Sequence, residues 1–103
     1  MTIKSAYAGE DVPLEVSYTD SNGAIDPDDQ GSDGTPDAEI TITDNSDGTE
    51  VVSAQSMTNT ATGEFEFVWD TSAANGPGTY RVEITAEFGG ETKINRSQIQ
   101  LKE

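Results

Sequence analysis

The feature that most restricts this chain is a two-residue period in its apolar side chains. Val12, Leu14, Val16 and Tyr18 alternate with Pro13, Glu15, Ser17 and Thr19. Ala38, Ile40 and Ile42 alternate with Glu39, Thr41 and Thr43, and Phe65, Phe67 and Trp69 with Glu64, Glu66 and Val68. Tyr80, Val82, Ile84, Ala86 and Phe88 share one parity against Arg81, Glu83, Thr85 and Glu87. Successive side chains of a strand point to opposite faces, so each run predicts a strand with one buried side. Ile3 to Tyr7 predicts a short edge strand, and Val51, Val52 and Ala54 a weaker one. Pro13 has no N–H to give a ladder, so its strand should start unpaired on one side. Asp44-Asn45-Ser46-Asp47-Gly48, Thr62-Gly63 and Asn75-Gly76-Pro77-Gly78 are turn chemistry, and Gly89-Gly90 predicts a two-residue hairpin. In the last strand Ile94 is out of phase with Ile99 and Leu101; a bulge near residues 95–98 is expected to bring all three to one face. No segment carries a helical period. Seven short antiparallel strands at roughly ten-residue spacing predict a single all-β domain over residues 1–103, built as a sandwich.

The alternation decides how the composition is read. Twenty acids stand against five bases in 103 residues, with no histidine and no cysteine, for a net charge of −15. Low hydropathy with high charge is ordinarily the mark of disorder, but ordered alternation contradicts that here. Sixteen acids and no base lie between residues 5 and 80, while residues 81–103 hold four of each. Such a surface repels itself in dilute buffer, and at about 1 M salt a Debye length of roughly 3 Å screens most of the repulsion. Abundant Asp, Glu, Thr and Ser with few lysines resembles the composition of proteins that work in saturated brine. The same charge argues against nucleic acid and anionic membranes as partners. Absent cysteine and histidine remove disulfides, thiol nucleophiles and Ser-His-Asp catalysis. No apolar run approaches a membrane span, and no charged-then-apolar leader opens the chain. Met1, leading almost directly into a strand, suggests a complete chain made in the cytoplasm.

One loop and one hairpin carry the candidate sites. Asp20 to Asp37 is expected to be a long polar loop with six aspartates. Asp26, Asp28, Gln30 and Gly31, with Asp37 eleven residues after Asp26, imitate positions 1, 3, 5, 6 and 12 of an EF-hand loop. Position 12 is normally glutamate, Pro27 and Pro36 stiffen the loop, and no helix flanks it. A plain solvated loop therefore stands beside a less regular Ca²⁺ or Mg²⁺ site that also uses Asp33 or Asp20. Arg81, Lys93, Arg96 and Lys102 all fall on the last two strands, so that hairpin is near neutral while the rest is acidic. It is a candidate face for docking an acidic neighbour, with sheet edges as further contact sites. Carboxylates are plentiful, but none sits in an evident apolar pocket, and an enzyme is not expected. Phe65, Phe67 and Trp69 alternate strictly, which makes them a core face rather than a stacking platform. Val68 points outward between charged residues.

Gly76-Pro77-Gly78-Thr79-Tyr80 resembles the tyrosine corner that opens the F strand of immunoglobulin-like domains, where the phenol caps a backbone group a few residues upstream. The resemblance implies structural roles for Trp69, Gly78 and Tyr80. Ala8-Gly9-Glu10-Asp11-Val12-Pro13-Leu14, Tyr18-Thr19-Asp20-Ser21-Asn22-Gly23, Asp26-Pro27, Ile40-Thr41-Ile42-Thr43-Asp44 and Asp47-Gly48-Thr49 extend it. Thr62 to Trp69 and Gly78 to Val82 complete it. Taken in this order they resemble small single-domain immunoglobulin-like structural proteins of tailed viruses. The segment from Asp28 to Thr35 departs from the compact turn usual there, and the antibody cysteine pair is missing. Together with the brine-like composition, the resemblance implies a virion protein of a virus of halophilic archaea. Such a protein is made in the host cytoplasm and decorates the capsid or joins head and tail components. Its partners would be other virion proteins and further copies of itself. A secreted adhesion or carbohydrate-binding module with a Ca²⁺-ordered loop is the alternative.

Overall fold

Each alternating run becomes a strand, and its apolar parity is the side turned inward. The computed structural model describes residues 3–28, 37–73 and 76–103. Ten strands follow in order: β1 (Ile3–Tyr7), β2 (Asp11–Ser17), β3 (Thr19–Asp20), β4 (Gly23–Ala24), β5 (Ala38–Asp44), β6 (Glu50–Ser56), β7 (Thr58–Ala61), β8 (Glu64–Asp70), β9 (Gly78–Phe88) and β10 (Glu91–Lys102). One turn of 3-10 helix, Thr71–Ala73, follows β8. No α-helix occurs among the described residues, and none of their helices is long and apolar enough to cross a membrane.

The strands form a five-stranded sheet in the order β1-β10-β9-β5-β6, a three-stranded sheet β2-β8-β7 and the small ribbon β3-β4. β1 runs parallel to β10 at one edge, and the other pairings are antiparallel. Val12 and Leu14 of β2 with Phe65 and Trp69 of β8 meet Ile40, Ile42, Tyr80, Val82, Ile84, Ile99 and Leu101 of the larger sheet in one apolar cluster. Two sheets closing on one core give an all-β chain with the character of a β-sandwich. Met57, itself buried, carries the chain from one sheet to the other, its N–H donating to the Ala38 carbonyl at 2.9 Å.

Three local differences from the sequence expectations have physical reasons. No bulge interrupts β10: its register against β9 runs unbroken from Glu91–Phe88 to Leu101–Gly78. Ile94 therefore faces outward, 45% exposed, while Ile99 and Leu101 are buried. Residues 91–96 are exposed at both parities, because this half of β10 overhangs the core. A bulge there would break a ladder without burying anything. Second, the expected loop from Asp20 begins as the β3-β4 ribbon, whose turn is held by the Asn22 N–H donating to Asp20 Oδ1 at 2.8 Å. Third, β7 is exposed at every position and has no alternation to announce it. Pairing with β8 alone makes it a strand.

Candidate functional site

The register of β2 against β8 decides what the smaller sheet presents to solvent. Asp11 stands opposite Asp70, Pro13 opposite Val68, Glu15 opposite Glu66 and Ser17 opposite Glu64, all on the outward parity. Two of these four pairs set carboxylate against carboxylate, an arrangement that destabilises a sheet. Val68, 53% exposed, lies between them. The Ser72 hydroxyl donates to Asp70 Oδ1 at 2.6 Å and its N–H at 3.0 Å, and these bonds hold the Asp70 carboxyl below its ordinary pKa. The face is thus acidic by construction. Its acids are plain in the sequence; the register that sets them across from one another is not.

The loop aspartates are tied to turns. Asp26 Oδ1 accepts the Gly63 N–H at 2.6 Å, and Asp28 Oδ2 accepts the Gly90 N–H at 3.0 Å. The Gly90 and Gly89 N–H groups together pull the Asp28 carboxyl below its ordinary pKa. The Asp28 N–H donates to the Glu87 carbonyl at 2.7 Å, and the Asp37 N–H to the Asp28 carbonyl at 3.2 Å, closing the loop at its base. Gln30 and Asp33 lie outside the described residues. Among the described residues no three carboxylates gather where a metal ion would sit. Asp26, Asp28 and Asp37 here anchor a loop to two hairpins.

Gly63 is the position this arrangement depends on. A Cβ there would fall 2.6 Å from the Tyr18 carbonyl oxygen and 2.7 Å from that of Ile25. The Tyr18 N–H donates to the Gly63 carbonyl at 2.8 Å, and the Ile25 N–H to the Tyr18 carbonyl at 3.1 Å. Three chain segments meet at one residue without a side chain. Thr62-Gly63 reads in the sequence as a turn only.

The four bases are divided by the fold. Arg81 and Arg96 come together on the outer face of the larger sheet, with Nε atoms 3.3 and 3.7 Å from Glu83 Oε1. Lys93, paired with Ala86, has the opposite parity, and Lys102 ends β10 beside Tyr7 of β1. Arg81 and Arg96 thus share a site that Lys93 and Lys102 do not.

At the end nearest Lys93 lies an open cleft of about 350 Å³, lined by Tyr18, Thr19, Asp20, Ile25, Phe88 and the start of β10. The Tyr18 ring packs edge-to-face on Phe65 and Phe88, at centroid distances of 6.2 and 5.1 Å. Its phenol oxygen is buried with no hydrogen-bond partner among the described residues, and burial raises its pKa. At the other end Tyr80 Oη donates to the Gly76 carbonyl at 2.6 Å, and its ring packs edge-to-face on Trp69 at 5.3 Å. Gly78, with φ +149°, opens β9 between them. No protein-family model, curated protein or solved structure matches this chain.

Proposed function

We propose that this chain is an immunoglobulin-like β-sandwich and a structural component of the particle of a tailed virus of halophilic archaea. In this role it decorates or stabilises the capsid, or joins head and tail components, through contacts with other virion proteins and with copies of itself. Strand order supports the fold part of the reading. With β2, β8 and β7 as B, E and D, and β10, β9, β5 and β6 as G, F, C and C′, the two sheets follow immunoglobulin order. Tyr80 then opens the F strand, and its bond to Gly76, four residues upstream, is the one a tyrosine corner makes.

The observation that carries the functional part is the division of the surface. One outer face shows paired acids, the other Arg81 and Arg96 beside an exposed Ile94, and between them lie strand edges that no described residue pairs. Faces of different charge and free edges suit a molecule that works by being held among neighbours. Purified particles probed with an antibody to this chain in near-saturated salt test the reading. Co-sedimentation of the chain with infectious particles is expected, and its confinement to particle-free cell envelopes would overturn it.

The cleft favours a second reading, the carbohydrate-binding module. It joins a half-buried phenylalanine ring to Thr19, Asp20 and Thr92, an apolar wall with a polar rim. Amide shifts of Phe88 and Thr92 during titration with glucose, galactose and mannose would support that reading, and unchanged spectra would remove it.

A further inference from the structure

The first half of β10 is a strand edge with no neighbour among the described residues. β1 covers only Gln98 to Lys102, and β9 lies on the other side. The two-glycine connection makes Phe88 and Glu91 the closing hydrogen-bonded pair, so odd-numbered residues of β10 bond β9. Thr92, Ile94 and Arg96 consequently turn their N–H and C=O groups away from β9. The same parity recurs at the far end, where the Lys102 carbonyl accepts the Ala8 N–H at 2.8 Å on the β1 side.

Three of the other edges carry features that oppose pairing. β6 has register shifts and a left-handed Ala54 at φ 46°, β7 is four residues long with a shift of its own, and β2 presents Pro13 between Asp11 and Glu15. The open stretch of β10 has an unbroken register and an exposed isoleucine at its middle. It holds one acid, Glu91, against two bases, Lys93 and Arg96, in a chain whose net charge is −15. With charges of both signs on this stretch, two copies can approach here with little local repulsion.

We propose that Glu91–Ser97 pairs antiparallel with the same segment of a second copy, about a twofold axis at Ile94, so that two five-stranded sheets run on as one. This rests on the reading of the chain as one that contacts its own copies, and names where. With Ile94 opposite Ile94, Thr92 faces Arg96 and Lys93 faces Asn95, and no like charges oppose. Shifting the axis to Lys93 would set two ammonium groups face to face. The Ile94 pair exchanges two N–H···O=C bonds, which puts its Cα atoms about 5.5 Å apart.

Single-cysteine variants test the register, because the chain has no cysteine of its own. At about 1 M salt, where repulsion is screened, Ile94→Cys is expected to form a disulfide dimer on mild oxidation, its separation lying inside the disulfide range. Thr92→Cys alone and Arg96→Cys alone are expected not to, their symmetry mates being about 14 Å apart. A mixture of the two is expected to cross-link. Ile94→Pro, which removes two edge donors per dimer but none of β9's, is expected to weaken dimerisation about thirtyfold by sedimentation equilibrium. An unchanged circular dichroism spectrum would show that the variant still folds. A wild-type dimer that persists in Ile94→Pro, or equal cross-linking at all three positions, would overturn this interface and leave self-association standing. A chain monomeric at every concentration would overturn both, while particle co-sedimentation would still decide the virion role.

Discussion

Neutralising one acid of the facing pair Glu15–Glu66 should stabilise the fold, and salt should abolish the gain. Glu15 is exposed, so Glu15→Gln removes charge without disturbing packing. Directly opposed Cβ atoms stand about 5 Å apart, which leaves the carboxylates roughly 6 Å apart. At that distance in water two unit charges repel by about 0.7 kcal/mol. A Debye length of about 30 Å near 0.01 M salt leaves roughly 0.6 kcal/mol of this; one of about 3 Å near 1 M leaves roughly 0.1. Glu15→Lys turns the repulsion into attraction and should gain about 1.2 kcal/mol at the lower salt.

Urea unfolding at the two salt concentrations is the assay, since urea adds no ions of its own. Glu39→Gln is the control: it removes the same single charge, but Glu39 faces Thr85 and Ser56 across its strands. The Glu15 variants should exceed it at low salt and converge with it at high salt. Equal gains from Glu15→Gln and Glu39→Gln at low salt would refute the pairwise argument and leave only net charge. A gain that survived at about 1 M would refute screening as its cause.

Three further perturbations follow from single contacts. Thr71, 2% exposed, accepts the Gly9 N–H at 2.8 Å and donates to the Glu10 carbonyl at 2.6 Å; Thr71→Val should cost about 1 kcal/mol by removing the acceptor of the Gly9 N–H, while the Glu10 carbonyl keeps the residue 71 N–H at 3.2 Å, read from the urea midpoint. Tyr80→Phe deletes the bond to Gly76 while keeping the ring against Trp69, and should cost about 1 kcal/mol with native near-ultraviolet dichroism retained. Asp28 has its folded pKa lowered from the ordinary 3.8, so its contribution is fully present above that value and disappears as the pH falls through the lowered one; in Asp28→Asn the fall in stability below about pH 4 should be shallower.

The strands with one buried side were legible because burial imprints itself on alternate residues: β2, β5, β8 and β9 can be read directly from their parity. Ile94 shows the limit of that rule. Parity tells which residues could face a core, but not where the opposing sheet stops, and β10 runs past it. β7 lacked any signal because a strand exposed at every position is defined only by its partner. The charged sites followed the same division. Which residues are acidic or basic is given residue by residue, whereas the facing of Glu15 by Glu66 and the convergence of Arg81 and Arg96 on Glu83 depend on register. Asp26 and Asp28 imitated metal ligands in spacing, and in the fold their carboxylates accept backbone N–H groups from glycine turns far along the chain. Those bonds were not legible because sequence distance hides the turns that supply them.

Salt acts on this molecule through two separable routes, and the geometry says which residues belong to each. Within one copy, the short-range term is the facing acids of the smaller sheet. Between copies it is the whole charge: two bodies of −15, with cross-sections of 24 and 20 Å, stand roughly 30 Å apart when joined at a sheet edge. Unscreened in water that repulsion is about 30 kcal/mol; it falls to roughly 10 near 0.01 M salt and below about 1 near 0.15 M. Folding therefore changes by tenths of a kcal/mol per acid pair over a range of salt in which assembly through β10 goes from forbidden to permitted. Near 0.15 M salt Glu15→Gln still moves the first by about 0.3 kcal/mol, while it lowers the remaining repulsion between copies by only about an eighth, or roughly 0.1 kcal/mol; Ile94→Pro moves the second alone. If the two variants instead shifted folding and dimerisation in parallel at every salt concentration, the fold itself would require the dimer, and the free edge of β10 would be an internal surface of a larger folding unit.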